Sequence, residues 1–208
     1  MVEHGANLAQ ILACAGFLGA VLAITLAERD GLFPLSAVAA TPDGVWDGRL
    51  WLLVTSAPVA QSPLALSLLS LAAVAFIVLR SCGSRVLWLS ALVGHTASTL
   101  VIYAAIGLLA LADRDTVTRL LKEPDWGVSA IFAAWLGAAA ARGWFRRNGT
   151  PAEKLGIVVV CAGAGLVAWL VRNEPTPSWL DTEHVVAFAI GAAFAAAPLR
   201  RRRELTST

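Results

Sequence analysis

The chain has 208 residues, 58% of them hydrophobic and 14% charged, with a formal net charge of +2. A soluble domain sits near about 45–50% apolar and about 25% charged residues. The excess apolar content, gathered into long blocks, excludes a water-soluble globular enzyme and predicts an all-α membrane protein that crosses the bilayer several times.

Residues 8–27 form the first apolar block, read as a retained helix because Met1–Asn7 carries no Lys or Arg for a signal-peptide head. A long loop follows from Glu28 to Leu50. Trp51–Gln61 is apolar but broken by Pro58, and is expected at the interface. The second helix is expected over 63–80, with Pro63 suited to a first turn, and the third over 86–112 after a tight turn. Asp113–Asp125 reads as a polar loop. Three further helices are expected over 128–141, 155–171 and 182–199, with the four arginines Arg200–Arg203 after the last. No internal repeat and no second domain is visible, so residues 1–208 are read as one transmembrane domain. Cys14, Cys82 and Cys161 fit neither a metal site nor a disulfide framework, and neither a metal nor a cofactor is expected.

Basic residues fall on alternate connections: Arg80 and Arg85; Arg142, Arg146, Arg147 and Lys154; then Arg200–Arg203. The intervening loops are acidic or balanced. The positive-inside bias then predicts cytoplasmic termini on a six-helix path. The terminal arginines read as a topology signal and lipid-headgroup contact, and no nucleic-acid partner is expected. Only Lys122 and Lys154 among the sixteen basic residues are lysine, which with the abundance of Ala and Gly points to a high-GC bacterial source and a bacterial plasma membrane.

Depth follows from a rise of about 1.5 Å per residue. Ser129 precedes Arg142 by thirteen positions and His184 precedes Leu199 by fifteen, so both lie roughly 20 Å above the cytoplasmic boundary. His95, ten residues after Arg85, lies roughly 15 Å up. The fourth helix is too short to cross a hydrocarbon core of about 30 Å. The residues ahead of it must therefore dip inward, which irregular backbone tolerates only beside a wet cavity or within protein. Small residues let helices approach closely. Ser129, Ala133 and Gly137 share one face of the fourth helix, and His184, Ala187 and Gly191 one face of the sixth. Close approach is what a serine–histidine nucleophile and base require. Gly127 and His95 are expected to line the oxyanion site or cavity. His95 also reads as part of a packing polar cluster, Gly94-His95-Thr96-Ala97-Ser98-Thr99. Asp181 reads as the N-cap of the sixth helix, with orientation of His184 as its other reading.

These residues carry a family resemblance. Gly127-Val128-Ser129-Ala130-Ile131-Phe132 resembles the nucleophile motif Gly-x-Ser-Gly at the start of the short fourth helix of rhomboid intramembrane proteases. His184-Val185-Val186-Ala187-Phe188-Ala189-Ile190-Gly191 is similar to their sixth-helix His-x-x-Gly-x-x-x-Gly, and Arg49-Leu50-Trp51-Leu52-Leu53-Val54-Thr55-Ser56-Ala57 to the run ahead of their second helix. The resemblance implies a six-transmembrane-helix rhomboid-like bundle and a serine endopeptidase with Ser129 as nucleophile and His184 as base. Its substrates are expected to be single-pass membrane proteins cut within their transmembrane segments. The family's second-helix oxyanion donors fall near Ala60, Ala65 and Leu69, which offer no side-chain donor, and Ala130 and Ala187 replace glycines. The other expectations are an inactive rhomboid-like protein that binds transmembrane clients and, third, a small transporter.

Overall fold

A computed structural model describes residues 7–60, 63–145, 149–172 and 179–206. Every regular element among them is helical apart from one antiparallel bridge between Ala40 and Asp125. Helix α1 (Leu8–Arg29) is opened by a capping box in which Asn7 and Gln10 satisfy each other's backbone N–H. Helix α2 (Pro42–Trp46) is capped by Thr41, whose hydroxyl accepts from Gly44 N, with Pro42 in the first turn. A short α3 (Leu52–Thr55) leads toward α4 (Leu64–Cys82). Gly83, at φ +88°, ends α4 and starts α5 (Ser84–Ala112) with no linker beyond itself, a conformation that other residues rarely adopt.

Segment 113–125, expected as a loop, instead contains α6 (Arg114–Lys122). Val117 and Leu121 lie four apart and are buried with Ile102, Tyr103 and Ile106 of α5 and Val45 of α2, while most of the charged residues stay outside. One apolar stripe sufficed to fold a segment that is polar on average. Helix α7 (Ser129–Trp144) begins at the serine and has 16 residues, about 24 Å of helix. Helix α8 spans Pro151–Arg172 and α9 spans Trp179–Thr206. The last helix is longer than the expected 182–199 at both ends. Arginine is a good helix former, so the basic run continues the helix rather than ending it. Asp181 is consequently the third residue of α9, not its N-cap, and His184 stands in the second turn.

Helices α1, α4 and α5 are long and apolar enough to cross a membrane. Helix α7 is enclosed chiefly by α9, α5 and α4. Trp135 of α7 is fully buried, and its indole N–H donates to the Leu87 carbonyl of α5 at 2.8 Å. Phe17 of α1 packs edge-on against both Trp135 and Trp88, with ring centroids 5.9 Å away in each case.

Candidate active site

The short connection between α6 and α7 is held from three directions. Asp125 exchanges both backbone hydrogen bonds with Ala40, at 2.7 and 2.9 Å. Gly127 N donates to Ser56 O at 2.9 Å, and Val128 N to Val59 O at 3.1 Å. Ala60 N donates in turn to the hydroxyl of Thr25, near the C-terminal end of α1. Residues 56–60 therefore act as a strap joining α1 to the entrance of α7. Gly127 adopts φ +121°, which an L side chain resists. Its N–H is engaged by Ser56, so Gly127, expected to line the oxyanion site or cavity, contributes backbone shape two residues ahead of Ser129.

Ser129 follows at the first position of α7. Its Oγ lies 2.9 Å from His184 Nε2 of α9, and both residues are half-buried. With Nε2 unprotonated, the imidazole accepts the serine proton. The helices reach this distance because almost nothing stands between them. A Cβ added at Gly137 would collide with the Phe188 backbone, and one at Gly191 with the Ala134 backbone. Ala133 and Ala187 belong to the same contact, together with Ala130 and Ala134. Gly94 of α5 faces the Ala134 methyl, closing a third side. All four packing residues named from the sequence thus sit at the contact, and Ala130, Ala134 and Gly94 add to it. The four-residue spacing of Ala130 and Ala134 was the available signal for these two.

His95 is 3% exposed, and its Nε2 faces Ser56 Oγ at 3.3 Å. The ring links α5 to the strap. Its Nδ1 has no well-formed hydrogen bond, although the Leu53 carbonyl is within its influence. Of the three positions where second-helix donors were counted, Ala65 and Leu69 lie on the exposed face of α4, and Ala60 is buried with its N–H committed to Thr25. The N–H groups that open α7 lack carbonyls earlier in their own helix. They are the donors nearest in sequence to the serine.

A buried polar network, not anticipated from the sequence, adjoins the pair. Glu183, 2% exposed, accepts from Thr99 Oγ1 at 2.8 Å and Ser98 Oγ at 3.2 Å. Asp125, 8% exposed, accepts from Tyr103 OH at 3.4 Å. The available signal was a carboxylate immediately beside the helical histidine. Among the described residues no cluster of three or more His, Cys, Asp or Glu has the grouping a metal ion needs. No family model, curated protein or solved structure matches the chain.

Proposed function

We propose that the protein is a rhomboid-like intramembrane serine endopeptidase, with Ser129 as nucleophile and His184 as general base. The observation that carries this reading is the 2.9 Å contact between Ser129 Oγ and His184 Nε2 at the start of a 16-residue helix. A serine hydroxyl is a weak nucleophile until a base removes its proton. Neutral His184 takes that proton as Oγ attacks a peptide carbonyl, then returns it to the leaving amine. The N–H groups opening α7 lie where a helix terminus favours negative charge, and so suit the developing oxyanion.

In this reading helices α1, α4, α5, α7, α8 and α9 are the six transmembrane helices, and α2, α3 and α6 lie in the connections. Both termini face the cytoplasm of a bacterial plasma membrane, consistent with the alternation of basic turns. Substrates are single-pass membrane proteins. A transmembrane helix pairs its own backbone groups, so it must unwind locally before a carbonyl reaches Ser129. Segments weakened by Gly, Pro or Ser are the preferred substrates.

A second reading is favoured by one observation: no side-chain donor stands at Ala60, Ala65 or Leu69. Loss of one oxyanion donor costs about 10²–10³ in turnover, so a chain without these donors suits capture of transmembrane clients without cleavage. The test is to reconstitute wild type, Ser129→Ala and His184→Ala with a panel of single-pass substrates. Slow cleavage lost in both variants is expected. Cleavage that survives Ser129→Ala refutes the mechanism. Capture without cleavage by any form supports the second reading.

A further inference from the structure

We propose that Glu183 is a positioning residue: anchored to Ser98 and Thr99 of α5, it fixes the rotation of α9 about its own axis that points His184 at Ser129. The inference rests on the dyad reading above for its effect on rate, but not for its effect on geometry. Glu183 is 2% exposed and stands immediately before His184 on α9. Its Oε1 accepts from Thr99 Oγ1 at 2.8 Å and from Ser98 Oγ at 3.2 Å. Successive helical residues project about 100° apart, so α9 presents Glu183 to α5 and His184 to α7 from adjoining faces.

Helix α5 is the frame that both halves of the dyad share. A Cβ at Gly94 would meet the Ala134 methyl of α7 and, at 3.9 Å, the Ala187 carbonyl of α9. Ser98 follows Gly94 by one turn, and Glu183 precedes Ala187 by one turn. Helices α5 and α9 therefore run antiparallel with two matched contacts, about 6 Å apart along their axes. The Gly94–Ala187 contact limits how closely α9 approaches, but apolar packing has no preferred direction. The Glu183 hydrogen bonds do, and they lie at the level of His184 itself. The backbone contact at Gly191 is seven residues further on, about 10 Å along the helix. A side-chain tip stands about 6 Å from its helix axis, so a rotation of about 10° displaces it by about 1 Å. That is enough to break the 2.9 Å contact between His184 and Ser129.

Ser98 and Thr99 do not depend on Glu183 for an acceptor. Each hydroxyl carries a single proton, and each also reaches the His95 carbonyl of its own helix, at 3.0 Å from Ser98 and 2.9 Å from Thr99. Donation to a carbonyl three or four residues earlier is the common local bond of a helical Ser or Thr. Without the Glu183 oxygen the two protons return to α5, and no donor is orphaned there. What disappears is the link across to α9. Loss of the acceptor is therefore felt first in the aim of His184.

The test compares Glu183→Gln, which keeps a carbonyl oxygen at the end of the side chain, with Glu183→Met, which keeps the length and removes the acceptor. Two readouts are taken on the full chain in detergent. One is the rate at which a fluorophosphonate labels Ser129. The other is the nitrogen NMR spectrum of the histidine rings, of which the chain has three, with the His184 signals identified by their loss in His184→Ala. Glu183→Met is expected to label about 10²-fold more slowly, as a displacement of about 1 Å implies, and to shift the His184 signals. Glu183→Gln is expected to label at close to the wild-type rate and to leave those signals in place. Wild-type labelling in Glu183→Met, or equal slowing in both variants, overturns the positioning role and leaves the dyad standing. If Ser129 is labelled in no form, wild type included, the dyad reading fails and the ring signals decide alone: a shift in Glu183→Met that is absent in Glu183→Gln sustains the positioning role, and equal spectra overturn it. If Glu183→Met does not fold, the donor side gives the same comparison. Ser98→Ala combined with Thr99→Val is then expected to slow labelling and shift the signals, and Thr99→Ser to do neither; absence of that contrast overturns the proposal.

Discussion

Replacement of Gly191 by alanine tests how the two helices that carry the dyad are held together. An alanine Cβ at this position would stand 2.9 Å from the Ala134 Cα and closer still to the Ala134 carbonyl, where ordinary contact begins at 3.4 Å. The obstacle is backbone, so it cannot rotate away, and α7 and α9 must separate by roughly 1 Å, the kind of backbone shift that overpacking forces. The Ser129–His184 bond starts from 2.9 Å, and the same displacement takes it beyond the range of an effective hydrogen bond, about 3.2 Å for such donors. Overpacking of this type destabilises by about 1–3 kcal/mol, and misplacement of a nucleophile by about 1 Å costs on the order of 10²-fold in rate. The assay is fluorophosphonate labelling of Ser129 together with thermal unfolding in detergent. Gly16→Ala is the control, because a methyl there meets nothing within 4 Å. Wild-type labelling and melting in Gly191→Ala would refute the reasoning that the close approach of α7 and α9 sets the dyad.

Gly127→Ala places a side chain on a residue at φ +121°; a loss of about 1–3 kcal/mol and slower Ser129 labelling are expected from melting and labelling curves. Thr25→Val preserves shape but removes the acceptor for Ala60 N–H; the unsatisfied donor should cost about 1–3 kcal/mol, with Thr25→Ser restoring most of it in the same unfolding assay. Cysteine-accessibility mapping in intact cells should place the 142–154 turn inside and residues 113–125 outside, as the distribution of arginine implies; a reversed pattern would remove the depth argument for Ser129 and His184.

The Ser129–His184 contact was more legible in the sequence than what supports it. Ser129 and His184 could be placed at one depth because each stands a countable number of helical residues from a charged boundary. The small residues at four-residue spacing predicted where the helices touch, since such periodicity survives translation into three dimensions. Asp125 was read as part of a polar loop and Glu183 drew no role within the expected last helix, because nothing in one dimension brings Glu183 to Thr99 across eighty-four positions. Helix α6 was legible in principle: Val117 and Leu121 form an amphipathic pair, but the polarity of their neighbours masked it. The extent of α9 was misjudged because a run of arginines was taken as a stop, when arginine is a good helix former and continues the helix. The roles of Gly127 and His95 depended on where a backbone N–H and a ring nitrogen point, which residue type alone does not encode.

The glycines at the α7–α9 contact also constrain which parts of the molecule can move. Gly137 and Gly191 bring backbone against backbone, leaving no side chains whose rotamers could absorb a sliding or hinging displacement. Helices α7 and α9 are thereby bound to travel as one body, with α5 fitted against them through Gly94. Breathing that preserves the Ser129–His184 distance has to come from the elements around that body.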